Sequence, residues 1–168
     1  MQLTLVVLFV ALLASCREDV PLPTQSLAEQ IKALEASGVL PKLDRSTDIK
    51  GPDQNLNGVR DDIDAWIASL PVTATQKRAA TQAAEGLQNT LLVDVTDKAA
   101  MDASGNETIA SVKCLRLVFM PNYDDGYKLS AKIEAITMNT KERSYQYIKY
   151  NQAASGSVTR LPDGNTCK

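Results

Sequence analysis

Thr73-Ala74-Thr75-Gln76-Lys77-Arg78-Ala79-Ala80-Thr81-Gln82-Ala83-Ala84-Glu85-Gly86-Leu87-Gln88-Asn89-Thr90-Leu91-Leu92 is a long helix written largely in small residues. Thr73 and Gln76 stand at the spacing of a capping box, in which the first side chain accepts from the backbone at N3 and the N3 side chain reaches back. Ala80, Ala83, Ala84, Leu87 and Leu91 fall on one face, and alanines there let a neighbouring helix approach closely. A helix of this kind predicts a bundle.

Working outward, the residues on either side keep the same period. Ile63, Trp66, Ile67 and Leu70 recur at i, i+3, i+4 and i+7 until Pro71 stops the helix. Trp66, the single Trp, reads as packing there. Residues 94–106 are polar, and Gly105-Asn106 predicts a break before a helix with Ile109, Val112, Leu115, Val118 and Phe119, and with Cys114 beside that face. A turn over residues 121–126 precedes a helix with Leu129, Ile133 and Ile136. Another starts near Lys141 behind a Thr140 cap and carries Tyr145, Tyr147, Ile148 and Tyr150. These tyrosines read either as a groove for a sugar or peptide or as core-edge packing with hydroxyls in water. Further upstream, Ser26 and Glu29 form a second capping-box pair before Leu27, Ile31 and Leu34, with Gly38 closing that helix. Residues 40–52 hold Pro41, Gly51 and Pro52 and read as a loop. The expected fold is all-α: a small bundle of about five to six helices forming one domain over residues 26–168, long enough for its own core.

The N-terminus specifies an address. Residues 3–13 are apolar apart from Thr4 and are too few to cross a hydrocarbon layer about 30 Å thick, so they fit an export signal. Leu13-Ala14-Ser15-Cys16 follows directly, and this order resembles the lipobox of bacterial lipoproteins. The resemblance covers the first 16 residues. It implies cleavage before Cys16, a thioether-linked diacylglycerol on that cysteine and an N-acyl chain on its freed amine. Two or three chains, at about 0.8 kcal/mol per buried methylene, anchor a protein stably where one does not. The run Met1-Gln2 supplies no Lys or Arg, which departs from the usual charged start. Arg17 stands where an Asp is associated with inner-membrane retention. The resemblance therefore favours the outer membrane, facing the periplasm, over the inner membrane or cell surface. Residues 16–25, with Pro21 and Pro23, read as an extended tether.

Export changes how the other two cysteines read. In an oxidising compartment the pair left after lipidation is expected to join Cys114 to Cys167. That bridge would pin the C-terminal tail, residues 156–168, which has a turn at Pro162-Asp163-Gly164. A zinc site is a poor alternative because the chain has no His. The formal charge of −2 without a basic stripe argues against nucleic acid as a partner.

A second motif lies in the loop before the Trp66 helix. Asp53-Gln54-Asn55-Leu56-Asn57-Gly58-Val59-Arg60-Asp61-Asp62-Ile63-Asp64 places oxygen-bearing side chains at positions 1, 3, 5, 9 and 12 with Gly at 6. A hard cation needs six to eight oxygens at about 2.3 to 2.6 Å, and alternate residues of a tight turn can supply them. The spacing resembles an EF-hand calcium loop. That resemblance implies Ca2+ bound by the side chains of Asp53, Asn55, Asn57 and Asp64, by the Val59 carbonyl, and by Asp61 through water. Asp at position 12 and Gly51-Pro52 in place of an entering helix are more similar to dockerin loops, which come in pairs; one copy is present here, and no cohesin partner is implied. Arg60 occupies a position that is usually apolar. The competing reading is an Asx-rich turn in which Asp61 or Asp62 caps the next helix and Arg60 is a counter-charge.

Without His there is no imidazole base and no Ser-His or Cys-His nucleophile. Asp61, Asp62, Asp124 and Asp125 supply carboxylates, but glycoside hydrolysis needs two facing across a cleft at about 5 to 9.5 Å. Phosphate-cradling and dinucleotide-binding Gly motifs are missing. The expected function is a membrane-anchored envelope module, non-catalytic, binding or structural, with an envelope protein or glycan as partner. The alternative is a calcium-supported enzyme acting on cell-wall glycan or peptide.

Overall fold

The computed structural model describes residues 25–168. The expected signal, Cys16 and its tether up to residue 24 lie outside the described residues. Six helices and no strand are found among the described residues, so the molecule is all-α. The chain divides into two compact units, one ending at Leu40 and one comprising Pro41–Lys168.

The first unit contains helix α1 (Leu27–Ala36). Its capping box forms as expected: the Ser26 hydroxyl accepts from the Glu29 amide at 3.3 Å, and the Glu29 carboxylate accepts from the Ser26 amide at 2.8 Å. The helix stops because Gly38 turns left-handed at φ 75°, which lets the Val39 amide donate to the Leu34 carbonyl at 3.0 Å. None of its residues is buried.

The second unit is built on the alanine-rich segment. Helix α3 (Ala74–Leu92) packs against α2 (Asp61–Ser69), α4 (Lys98–Val118), α5 (Tyr123–Thr137) and α6 (Lys141–Ala154). It can touch four neighbours because Ala79, Ala80, Ala83 and Ala84 are buried with almost no side chain to hold them apart. The Thr73–Gln76 capping box forms, with both backbone bonds at 3.0 to 3.3 Å. Ile63 and Ile67 of α2 enter the same core with Trp66 partly buried beside them, and Leu115, Phe119, Leu129 and Ile133 close it from the other side.

Helix α4 departs from the sequence expectation. It begins at Lys98 and runs unbroken through Gly105-Asn106. Asp97 caps it early, accepting from the Ala99 and Ala100 amides at 2.9 and 3.1 Å. The buried Ser104 and Ser111 seat it, and a mid-helix Gly costs only about 1 kcal/mol. Its buried face is also smaller and more polar than the apolar pattern suggests, with Ile109 and Val112 only half-buried. The cause is close approach: a Cβ on Gly86 would lie 3.5 Å from both the Thr108 Cα and the Ser111 hydroxyl. Similarly, the turn after α4 is shorter than expected. Helix α5 already includes Gly126, whose missing Cβ would sit 3.1 Å from the Leu115 carbonyl. Asp124 and Asp125 in its first turn suit the positive end of the helix dipole.

The tail after α6 has no regular secondary structure. Cys114 and Cys167 form a disulfide, Cα to Cα 4.9 Å, joining the tail to α4. Several hydrogen bonds follow the same course. The Thr166 hydroxyl donates to the Ala110 carbonyl at 2.8 Å, and Gln82 both donates to the Thr166 carbonyl and accepts from the Lys168 amide. The Lys168 ammonium lies between Glu85 and Glu107, at 2.8 and 2.9 Å. Its hydrogen bond to Glu85 leads the effects that raise its pKa. Burial alone would raise Glu107, but Lys168 and Asn89 outweigh it and hold the carboxyl low.

Candidate functional site

The twelve-residue loop is wound tightly enough that its alternate side chains meet. Gly58 takes φ 81° at the bend, and the Asp53 carboxylate accepts from the Asn57 and Gly58 amides at 3.1 and 3.3 Å. Asn55 Oδ1 also accepts from the Asn57 amide at 3.1 Å, and Asn57 Oδ1 from the Val59 amide at 2.9 Å. From the first turn of α2, Asp64 Oδ2 accepts from the side-chain amides of both Asn55 and Asn57, at 3.1 and 2.7 Å. Four of the expected ligand side chains, Asp53, Asn55, Asn57 and Asp64, are therefore linked to one another. Val59 is buried, and no hydrogen bond reaches its carbonyl among the described residues.

Asp61 faces the start of the loop. Its amide donates to the Pro52 carbonyl at 2.9 Å, and its Oδ1 accepts from the Gln54 amide at 3.0 Å. Asp61 Oδ2 is buried and has no hydrogen-bond partner, which is costly for a carboxylate oxygen. Among the described residues no three His, Cys, Asp or Glu gather as a metal cluster. Asp53 and Asp64 are linked through Asn55 and Asn57, while Asp61 is turned to the Gln54 amide and Asp62 to Arg60. The donor set is therefore carboxylate, amide and backbone oxygen, the chemistry a hard cation prefers.

Arg60 is a counter-charge to Asp62 of the same loop and stands apart from the Asp53–Asp64 cluster. Its side chain is fully buried and all five N–H donors are used. Nε and Nη2 make a forked pair with Asp62, both bonds 2.9 Å, while Nη1 and Nη2 also donate to the Thr137 and Ile136 carbonyls at the end of α5. Asn139 Oδ1 takes the fifth bond at 3.2 Å. Arg143, from the first turn of α6, is likewise fully buried with five donors placed. Its bonds go to the carbonyls of Asp44, Asp48 and Ile49, to Asp44 Oδ2 at 2.5 Å, and to the same Asn139 Oδ1. The Asp44 amide donates to Asp62 Oδ2 at 2.7 Å, which joins the two arginine systems.

Gly51 is what lets the loop lie on this clamp. It has φ 67°, and a Cβ there would fall 2.5 Å from Arg60 Cδ and 3.0 Å from Arg143 Nη2. Burial alone would raise the Asp44 pKa, yet the hydrogen bonds and charge of Arg143, with Ser46, bring it down to about 2. The clamp was not evident in the sequence. Its only trace there is an arginine at a loop position that normally takes an apolar residue.

The tyrosines do not share one groove. Tyr145 is 61% exposed, with the Lys149 ammonium 5.2 Å from its ring. Tyr147 and Tyr150 stack in parallel with centroids 6.4 Å apart, and burial followed by the nearby Glu134 pushes the Tyr147 hydroxyl up from its usual pKa. Of the other carboxylates considered, Asp62 is committed to Arg60, and Asp125 lies at the surface 3.4 Å from Lys128.

Comparison with protein-family models finds no match, and comparison with curated proteins and with solved structures finds none either.

Proposed function

We propose that the mature protein is a lipid-anchored, non-catalytic module of the bacterial cell envelope, with a structural calcium ion held by loop residues 53–64. The observation that carries the calcium reading is the convergence of Asp53, Asn55, Asn57 and Asp64 beside an Asp61 oxygen that is buried without a partner. Asn55 and Asn57 Oδ1 each accept one backbone amide and keep a second lone pair that a cation would take up. The Val59 carbonyl and Asp61, the latter through water, would complete the shell. A bound calcium supplies two positive charges, which offset the acids of the loop and fix its winding.

The anchor reading rests on the lipobox at Leu13-Ala14-Ser15-Cys16, with diacylglycerol and an N-acyl chain on Cys16. The Cys114–Cys167 disulfide fits an oxidising compartment such as the periplasm. No helix among the described residues is long and apolar enough to cross a membrane, so lipid would be the attachment this reading uses. The expected partner is an envelope protein or glycan.

Calcium should raise the melting temperature of the mature protein and change Trp66 fluorescence, because α2 carries both Asp64 and Trp66. Half-saturation should fall at about 10⁻⁴ to 10⁻³ M, as for other extracellular modules. Asp53→Ala should abolish both responses. A response that persists in Asp53→Ala would place the ion elsewhere, and no response in the parent protein would remove the site.

A further inference from the structure

A cleft of about 580 Å³ opens between the first half of α4, the end of α6 and the tail. That volume lies within the roughly 300 to 1,000 Å³ of small-molecule sites. It is away from the calcium loop: none of residues 53–64 lines it. We infer that this cleft binds a neutral saccharide of one or two rings.

Two hydroxyls lie near Gly105 on its lining. A Cβ on Gly105 would stand 3.8 Å from both the Tyr150 hydroxyl and Thr159 Oγ1, so the absence of a side chain there leaves the space in front of them open. Gly105 is a mid-helix residue without left-handed backbone, so the backbone itself does not require a glycine there. Tyr150 is only 7% exposed, yet its hydroxyl makes no hydrogen bond among the described residues and faces the cleft. Asn106, exposed on the same wall, adds an amide to the lining. These groups both donate and accept.

The charge pattern narrows the ligand. The charged side chains of the lining, Lys98 and Asp102, pair with each other at 2.7 Å, which leaves little net field for a phosphate or a cation. Apolar surface from Met101 and Ala153 suits the C–H faces of a sugar ring. A molecule rich in hydroxyls and without charge matches this wall better than an ion or a purely apolar group.

The wall formed by the tail is held in place from a distance by the disulfide at Cys167. The inference rests on the envelope reading only for the glycan the cleft would meet, and its test is independent of the calcium site. The test is an amide-shift NMR titration of the oxidised, isotope-labelled mature protein with N-acetylglucosamine, its β-1,4-linked dimer, maltose and tetra-alanine. At least one sugar should give saturable shifts at Gly105, Asn106 and Thr159, with a dissociation constant of order 10⁻³ M. Tyr150→Phe, which removes one oxygen, should weaken binding about tenfold with the melting temperature nearly unchanged. Gly105→Leu should abolish binding by filling the floor, and if that variant fails to fold, Tyr150→Phe decides. Absence of saturable shifts with every sugar, shifts elsewhere on the surface, saturation by tetra-alanine alone, or unchanged affinity in Tyr150→Phe would each overturn the inference. Loss of calcium binding in Asp53→Ala should leave this titration as it was, so the two readings fail separately.

Discussion

Arg60 and Arg143 place two positive charges in the interior of the larger unit, where an unpaired charge is strongly unfavourable. Each is tolerated because every guanidinium N–H is satisfied and a carboxylate stands beside it. Arg143→Met should therefore leave the partly exposed Asp44 carboxylate and the carbonyls of Asp44, Asp48 and Ile49 without their donor and destabilise the protein by about 1 to 3 kcal/mol, measured by urea unfolding. Acid should act at the same point. The unfolded Asp44 carboxyl takes up a proton near its ordinary value of 3.8, whereas the folded one holds off until about 2. Between those values the unfolded state binds more protons, so the stability contributed by Asp44 is present above about pH 4 and fades as pH falls toward 2. Asp44→Asn should flatten that acid limb in unfolding curves recorded across this range. None of this is legible in the sequence, because Arg143 and Asp44 are 99 residues apart and no local pattern marks them as partners. The Asp and Asn cluster of the loop is legible because its spacing is local: Asp53 to Asp64 lies within a single turn of chain and the first turn of a helix.

At the scale of elements, the same contrast between local and distant causes explains what sequence reading recovers. The caps at Ser26, Thr73 and Thr140 depend on residues three apart, and all three form. The stripe on α3 is read correctly because alanines at helical spacing have one role in a bundle. The break expected at Gly105-Asn106 does not occur, since a helix seated along α3 can absorb one glycine. Leu115 and Phe119 enter the core as expected, while Ser104 and Ser111 join them on the buried face and Gly86 of α3 lies against Thr108 and Ser111, a fact about the partner helix that α4's own sequence cannot carry. Thr73→Ala should cost about 1 kcal/mol through loss of the α3 cap, read as a fall in melting temperature. The disulfide is worth more. It closes 53 residues of chain, for which the loop-entropy model gives about 4 kcal/mol, so Cys114→Ser with Cys167→Ser should lower stability by about 2 to 5 kcal/mol.

For the whole molecule, a helical unit braced by two arginines at one end and by a disulfide at the tail presents a calcium-type loop on one side and a polar cleft elsewhere. The proposed lipidation of Cys16 is checked by intact-mass analysis of the native product: the mass should correspond to a chain beginning at Cys16 with added acyl groups. An unmodified chain retaining its first fifteen residues would remove the anchor and, with it, the reason to expect millimolar calcium around the loop. The loop itself is tested most directly by calorimetric titration of the oxidised mature protein with calcium, beside Asp64→Ala. One ion per chain in the parent and none in the variant is the result expected where the Asn55 and Asn57 side chains meet at Asp64. No heat of binding at millimolar calcium, or equal binding by Asp64→Ala, would contradict it.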